Sequence, residues 1–185
     1  MNITQAIRER RAYRSLEPVK ITRGLIKDLA RSTQLAPSCF NNQPWRFVFV
    51  YEPKTLKNMH AALSPGNEWA QSASMIIAVF SKKEYDCIIR DREYFLFDTG
   101  MGVGFLILRA TELGLVAHPI AGFSPKKTRE ILDIPDEYQV ITLIIVGKHS
   151  KQINPVLSKM QVEAERTRPE RIPLERFVYF NRFIK

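Results

Sequence analysis

The sequence predicts a single α+β domain in which helices flank a mixed β-sheet. Its 185 residues are enough for one sizeable domain, residues 1–185, and too few for two comfortable ones. Helix-like and strand-like segments follow one another without the strict rhythm of βαβ units. Hydrophobic residues make up 45% of the chain and charged residues 25%, which is the balance of a globular protein.

Five segments have the apolar spacing or the end residues of helices. Asn2 and Gln5 resemble a capping pair at the start of the first helix. Thr22 precedes the second helix, and Pro37 ends its apolar pattern. Gly114 is placed to end the long fourth helix. The last three helices are expected over about residues 53–63, 94–113 and 125–132, the last of them capped by Ser124.

Three segments have strand patterns, and a short fourth strand is expected between the last two helices. Residues 46–51 alternate aromatic side chains with valines. Residues 75–80 and 139–146 are continuous apolar runs suited to buried strands. After Gly147 the chain becomes polar and then ends in an aromatic tail, residues 177–184. Such a tail must be buried against another surface, which indicates a partner.

The cysteine content and the N-terminal sequence indicate the compartment in which the protein works. Cys39 and Cys87 are too few for a disulfide framework, and no CxxC or Cys/His cluster indicates a zinc site, so no metal is expected. The sequence begins without the charged and apolar regions of a signal peptide. Its longest apolar stretch is too short to span a membrane. We therefore expect a cytoplasmic protein that has no membrane partner.

The net charge of +9 and the pI near 9.7 raise the hypothesis of nucleic-acid binding. The distribution of arginines argues against nucleic acid as the main partner, because they gather at the two ends of the chain and acidic residues interrupt the second group. Two such groups can converge on one small phosphate, although a solvated basic surface is the simpler interpretation of any single arginine. The two groups are Arg8, Arg10, Arg11 and Arg14, then Arg166, Arg168, Arg171, Arg176 and Arg182.

The glycines at 100, 102 and 104 resemble a dinucleotide-binding fingerprint at first sight. Their spacing is GxGxG, and no acidic residue follows at the end of a second strand as that fingerprint requires. A buried helix whose glycines permit close approach of another helix fits better, even though each glycine costs about 1 kcal/mol relative to alanine.

No side chain stands out as a nucleophile or as an acid–base pair. The three histidines, His60, His118 and His149, lack the spacing of metal ligands, and no serine lies in a GxSxG turn. Cys39 has no neighbour in sequence that would lower its thiol pKa. An enzyme with this inventory must take its chemistry from a cofactor.

Two segments have distinctive sequences that indicate a functional role in addition to a structural one. Residues 9–15 read ERRAYRS, and residues 36–47 read APSCFNNQPWRF. At this separation they resemble the RRSxR and APSSxNxQPWRF motifs of the nitroreductase family of FMN enzymes. The resemblance extends along essentially the whole chain through the central helix from Asp98, the PIAGF segment at 119–123 and RIPL at 171–174.

The resemblance implies the nitroreductase-type α+β fold and FMN as the bound cofactor. Arg10, Arg11 and Arg171 match the residues that grip the phosphate, and Arg14 matches one that reaches the pyrimidine edge of the flavin. Forked guanidinium groups suit that task because they bind phosphate oxygens in pairs. Ala12 stands where the family usually has a serine, so one hydroxyl contact to the cofactor is expected to be missing.

Other matched positions complete the implied site. Ala121 and Gly122 match residues whose backbone N–H groups face the flavin, and Asn67 falls where a flavin-contacting asparagine is common. Phe40 is expected to contact the substrate. Cys39 replaces the second serine of the family motif, which leaves a backbone contact. The loop expected to cover FMN from a partner subunit contributes Pro37, Ser38, Cys39, Asn41 and Gln43.

The implied enzyme is an intertwined homodimer whose C-terminal arm, about residues 151–185, embraces the partner. It would oxidise NADH or NADPH in a ping-pong reaction, and nitroaromatics or quinones would serve as small-molecule acceptors, with hydride transfer through flavin N5. A specialised enzyme of the same fold (a dehalogenase, thiazoline oxidase or flavin-cleaving enzyme) and a flavin-binding protein without turnover remain alternatives.

Overall fold

A computed structural model describes residues 1–183 of the chain. All five expected helices are present, with a sixth near the C-terminus. Their bounds are α1 Ile3–Glu9, α2 Arg23–Gln34, α3 Pro53–Met59, α4 Phe95–Glu112, α5 Pro125–Leu132 and α6 Lys159–Arg166. Within these residues, no helix has the length and apolarity that crossing a membrane requires.

The strands form one main sheet and a small hairpin. Their bounds are β1 Leu16–Glu17, β2 Arg46–Val50, β3 Met75–Ser81, β4 Ile88–Ile89, β5 Arg92–Glu93, β6 Val116–Ile120 and β7 Gln139–His149. In the main sheet β7 pairs with β3, β6 and β1, and β2 is the edge strand beside β3. The predicted α+β architecture is confirmed. In the part of the chain described, the strand pairs of the main sheet are antiparallel.

Successive residues of the central strands point to opposite faces of the sheet, as the period of a strand dictates. Ile76 and Ala78 enter one core cluster together with Trp69. Ile77 and Val79 enter a second cluster, which lies against α2 and α4. Both faces of β3 and β7 are therefore covered, which explains why their sequences are continuous apolar runs instead of alternating ones.

The expected end residues act as predicted. Asn2 and Gln5 form a reciprocal capping box, and Thr22 accepts the backbone N–H of Leu25 at 3.1 Å. Gly114 follows α4 with a φ of +74°, a conformation that glycine adopts without strain. The third helix is shorter than expected, because α3 ends at Met59 and continues as a single 3₁₀ turn to residue 62.

The glycines of α4 have different roles. A Cβ at Gly102 would lie 3.1 Å from the Trp45 ring and 3.0 Å from Thr33 of α2, so this glycine permits the close approach that was expected. Cβ atoms at positions 100 and 104 would meet open space. In the single chain α4 is buried on one side, at Val103 and Leu106 among others, while Phe97 and Phe105 are exposed.

Several features were missed in the sequence, among them the two-residue strands β1, β4 and β5. Helix α6 lies in the stretch after Gly147 that was taken only as polar, and a Ser158–Gln161 capping box starts it. Cys39 and Cys87 are joined in a disulfide although they are 48 residues apart in sequence, so the expectation that these cysteines stand alone is corrected. The cause is the fold, which brings the loop before β2 against the segment after β3. Ile184 of the predicted aromatic tail lies outside the described residues.

Candidate functional site

Arginines from the two ends of the chain meet at one cavity of about 340 Å³. We call Arg10, Arg11, Arg14, Arg168 and Arg171 the arginine cluster. The cavity is lined by these five residues together with Ala12, Ala164 and Pro169. The structure thus joins five of the predicted cofactor positions, and it adds Arg168, whose individual role the sequence did not indicate.

The arginine cluster has the electrostatics of an anion site. Burial lowers the pKa of Arg10, and the positive charges of Arg168 and Arg171 lower it further. Like charges held this close repel one another unless an anion neutralises them. The cluster therefore fits a phosphate group, which guanidinium forks bind in pairs.

The members of the arginine cluster divide into anchored and available side chains. Arg11 donates to the carbonyl oxygens of Ala164 and Glu165 at 2.7 and 3.1 Å. Arg168 donates to the carbonyl oxygen of Arg10 at 3.0 Å and also to that of Arg8. Within residues 1–183, the guanidinium groups of Arg10, Arg14 and Arg171 make no hydrogen bond to protein.

Glu165 fixes the loop that carries the first arginines. Its carboxylate is buried and accepts the backbone N–H groups of Arg14 at 2.5 Å and Ser15 at 3.2 Å. Ser15, itself fully buried, accepts the backbone N–H of Asn154 through its hydroxyl at 3.0 Å. Helix α6, which carries Glu165, thereby holds both ends of the chain together, and nothing in the sequence distinguished this glutamate from a solvated one.

Glu165→Ala is expected to lower the free energy of unfolding by about 2–6 kcal/mol, because the part-buried N–H of Arg14 and the buried N–H of Ser15 lose their acceptor at ~1–3 kcal/mol each. Glu165→Gln keeps one carbonyl acceptor and is expected to lose less. Glu163→Ala, an exposed position on the same helix, is the matched control. Urea unfolding measures all three, and equal stability of the Glu165→Ala and Glu163→Ala proteins would contradict this role.

A second group of predicted residues lies around Gly122. Asn67 donates through its side-chain amide to the carbonyl oxygen of Gly122 at 2.9 Å, and Ser64 donates its backbone N–H to the same oxygen at 3.1 Å. A Cβ at position 122 would lie 2.3 Å from the Asn67 amide nitrogen, so only glycine permits this contact. The neighbouring Ala121 accepts the backbone N–H of Phe123. The structure therefore brings Asn67, Ala121 and Gly122 together.

Trp69 and His118 connect this group with the arginine cluster. Trp69 donates to the Asn67 side-chain oxygen at 3.2 Å and stacks on His118 with ring centroids 4.7 Å apart. The guanidinium of Arg14 lies 5.9 Å from the centre of the Trp69 ring. Nδ1 of His118 lies 3.0 Å from the carbonyl oxygen of Tyr13. The sequence showed no metal-ligand spacing at His118, and it did not single out Trp69.

His118 is expected to make the protein less stable in mild acid. Burial lowers its pKa to about 4, whereas in the unfolded chain it binds a proton near pH 6.5. Stability is therefore complete above pH 6.5 and is lost as the pH falls from 6.5 towards 4, by about 3 kcal/mol at most.

The test compares the free energy of unfolding of wild type and His118→Gln between pH 4 and 7. The pKa values of His60 and His149 are also lowered by burial, but these residues are common to both proteins and cancel in the comparison. If the free energy of unfolding of the His118→Gln protein fell with pH as steeply as that of wild type, His118 would not be the residue responsible for the loss of stability.

The remaining predicted residues form a separate loop, residues 37–43. Ser38 accepts the backbone N–H of Gln43 through its hydroxyl at 2.9 Å, and Cys39 donates its N–H to Asp98 at 2.6 Å. Three residues of the loop adopt positive φ, namely Phe40, Asn41 and Gln43. Phe40 is 87% exposed. The contacts of the loop run to Asp98, Asp86 and Cys87, and it does not line the cavity of the arginine cluster.

Asp98, in the first turn of α4, is the buried carboxyl on which this loop rests. Burial raises its pKa, the N–H of Cys39 opposes the rise, and the neighbouring carboxylate of Asp86 adds to it. The sequence had marked Asp98 only as part of the helix, so its contact with Cys39 is a finding of the structure.

The sequence model of the Nitroreductase family matches residues 7–148. The chain belongs to the nitroreductase family. The matched range contains Arg10, Arg14, Asn67 and Gly122, while Arg168 and Arg171 lie beyond its end, in the C-terminal segment that α6 holds in place.

Known proteins are similar to this chain over at least three quarters of its length. A NADH dehydrogenase of Thermus thermophilus is 24% identical over 92% of this chain and 91% of its own length. An oxygen-insensitive NADPH nitroreductase of Helicobacter pylori is 26% identical over 75% of this chain and 83% of its own. A crystal structure described as an oxidoreductase containing FMN superposes with a TM-score of 0.83 and 26% identity, covering 97% of this chain and 91% of the other.

Proposed function

We propose that the protein is an FMN-dependent NAD(P)H oxidoreductase that reduces small electrophilic acceptors. The observation that carries the proposal is the arginine cluster, in which three of the arginines that line one cavity make no side-chain hydrogen bond to protein within residues 1–183. Relatives named as a NADH dehydrogenase and an NADPH nitroreductase support the use of a nicotinamide donor. A structural neighbour that contains FMN supports the choice of flavin.

The residues present fit FMN in a specific way. Arg10 and Arg171 would hold the phosphate, because neither guanidinium group has a hydrogen-bond partner in the protein within residues 1–183. The charge of Arg171 already lies close enough to Arg10 to lower its pKa. A single arginine cluster suits a single phosphate group. This favours FMN, which has one phosphate, over FAD, which has two. Ala12 would contribute only its backbone here, and Arg11 would act mainly by fixing the loop, given its two bonds to backbone carbonyls.

The chain would orient the flavin from two sides. Arg14 would place a positive charge at the pyrimidine edge, and the backbone N–H groups of Ala121 and Gly122 would face the ring from the turn that Asn67 stabilises. Bound FMN would supply the redox chemistry, taking a hydride from NADH or NADPH and passing electrons to an acceptor. No side chain of the protein needs to act as nucleophile or general base.

A second copy of the chain would complete the site. The loop at residues 37–43 lies away from the arginine cluster of its own chain, so we assign Pro37, Ser38, Cys39, Asn41 and Gln43 to the flavin of a partner subunit, with the exposed Phe40 at the acceptor. The exposed face of α4 and the aromatic tail offer the apolar area that a dimer would bury. The C-terminal arm from about residue 151 would embrace the partner, and a cytoplasmic location remains part of the proposal.

The test is anaerobic reduction of the purified protein with NADH or NADPH, followed by the flavin absorbance, and then addition of a quinone or a nitroaromatic compound. We expect bleaching with at least one donor and recovery of the absorbance with the acceptor. A flavin that neither donor reduces would show a flavin-binding protein without turnover. The choice of nitroaromatics and quinones as acceptors rests on the family and is tested in the second step.

A further inference from the structure

The Cys39–Cys87 disulfide lies against two buried carboxylates. The two sulfur atoms and a carboxylate oxygen of Asp86 all lie within 4.8 Å of one another. Asp86 is only 9% exposed, and its Oδ2 atom has no hydrogen-bond partner within residues 1–183. An unpaired buried carboxylate oxygen is costly, so this atom is open to a cation or to a proton shared with the neighbouring Asp98 carboxyl.

The charge around the disulfide points to a cation. The carboxyl groups of Asp86 and Asp98 are neighbours, and Asp98 is only 1% exposed. Among the described residues, no lysine, arginine or histidine forms a salt bridge with either carboxylate. Two neighbouring carboxylates repel one another when both are charged, and a bound cation would remove that repulsion.

We propose that Cys39, Cys87 and Asp86 form a site for a soft divalent cation such as Zn²⁺, which opens when the disulfide is reduced. Thiolate sulfur and carboxylate oxygen are both zinc ligands, and three protein ligands leave a fourth position for water. Asp98 holds Cys39 from behind through the Cys39 N–H, and the Cys87 N–H is held by Asp86 Oδ1 at 2.8 Å. These two bonds position both sulfur-bearing residues in the disulfide-bonded protein.

The chemistry of the two states balances. A phosphine or dithiol reductant gives two electrons, the S–S bond breaks, and two protons from solvent complete two thiols. Zn²⁺ then displaces those two protons to solvent as two S–Zn bonds form. In a tetrahedral site with Zn–S bonds of ~2.3 Å the sulfurs would stand about 3.8 Å apart, so the two sulfurs, which are bonded to each other in the structure, would have to separate after reduction. Thiols prevail in a reducing compartment, which makes the open state the relevant one there.

The test measures binding of Zn²⁺ and of Co²⁺ as a coloured substitute to untagged, flavin-loaded protein. One sample is oxidised, and another is reduced with a phosphine and desalted anaerobically. We expect one metal per chain in the reduced protein, a thiolate-to-cobalt charge-transfer band, and neither in the oxidised protein. Asp86→Asn should weaken metal binding at least tenfold, and Cys39→Ser with Cys87→Ser should abolish the band.

Asp91→Asn, an exposed carboxylate in the same segment, is the matched control and should bind metal like wild type. Reduced protein that binds no more metal than oxidised protein would overturn the proposal, and would leave a proton shared by Asp86 and Asp98 as the explanation. Binding that survives in the double cysteine variant would also overturn it. Circular dichroism confirms that each variant is folded, and because flavin content is read separately, failure here leaves the proposed oxidoreductase function untouched.

Discussion

Alanine at Arg10 or at Arg171 is expected to weaken FMN binding about ten- to a hundredfold, while riboflavin binding stays almost unchanged. Each guanidinium would make a charge-assisted hydrogen bond to the phosphate, which contributes roughly 1.5–3 kcal/mol. Riboflavin lacks the phosphate and so does not report on this contact. The double variant should lose less than the sum of the single losses, because two groups on one phosphate are coupled.

Titration of apoprotein with FMN and with riboflavin, followed by flavin fluorescence, measures these effects together. Arg31→Ala, an exposed arginine on α2, removes the same charge elsewhere and should leave both affinities unchanged. Arg168→Ala should behave differently from Arg10→Ala, because Arg168 also holds the backbone at Arg8 and Arg10. Equal losses for FMN and riboflavin in the Arg10 and Arg171 variants would show that these arginines support the fold instead of the phosphate.

Deleting the residues after Arg176 is expected to dissociate the dimer and release FMN together. In the single chain the aromatic rings of Phe177, Phe180 and Phe183 are exposed. Burying large apolar side chains against a partner contributes ~1.5–3 kcal/mol each, before the cost of ordering the arm. Loss of several such contacts is enough to change a tight dimer into a weak one.

Sedimentation at low protein concentration and flavin absorbance, measured on the same samples, test this coupling. Arg182→Ala removes a charge from the tail but keeps its rings, and should leave both dimer and flavin content unchanged. A truncated protein that stays dimeric and fully loaded with FMN would contradict the proposed arrangement of the arm.

The helices and the central strands could be predicted because their signals are local. Thr22, Ser124 and Gly114 mark helix ends by their own chemistry, and the apolar run at residues 75–80 reflects burial on both faces of β3. The convergence of Arg10 and Arg171 came from motif resemblance, since arginine charge alone does not reveal where a side chain lies in space.

The rest of the site depends on contacts between distant segments, which leave no local pattern. Glu165 differs from exposed Glu163 only because its carboxylate meets the loop at Arg14. Cys39 and Cys87 pair because the loop before β2 packs against the segment after β3. Helix α6 was missed since its single capping box stands in a polar stretch with few buried apolar side chains.

The central claim is that this member of the nitroreductase family holds FMN at the arginine cluster, and the cofactor itself tests it most directly. The measurement is heat release of the cofactor from purified protein, or from protein reconstituted with flavin, followed by reverse-phase chromatography and quantification against protein concentration. The account predicts FMN in a near-stoichiometric amount per chain. Recovery of FAD, or of no flavin even after reconstitution, would contradict it.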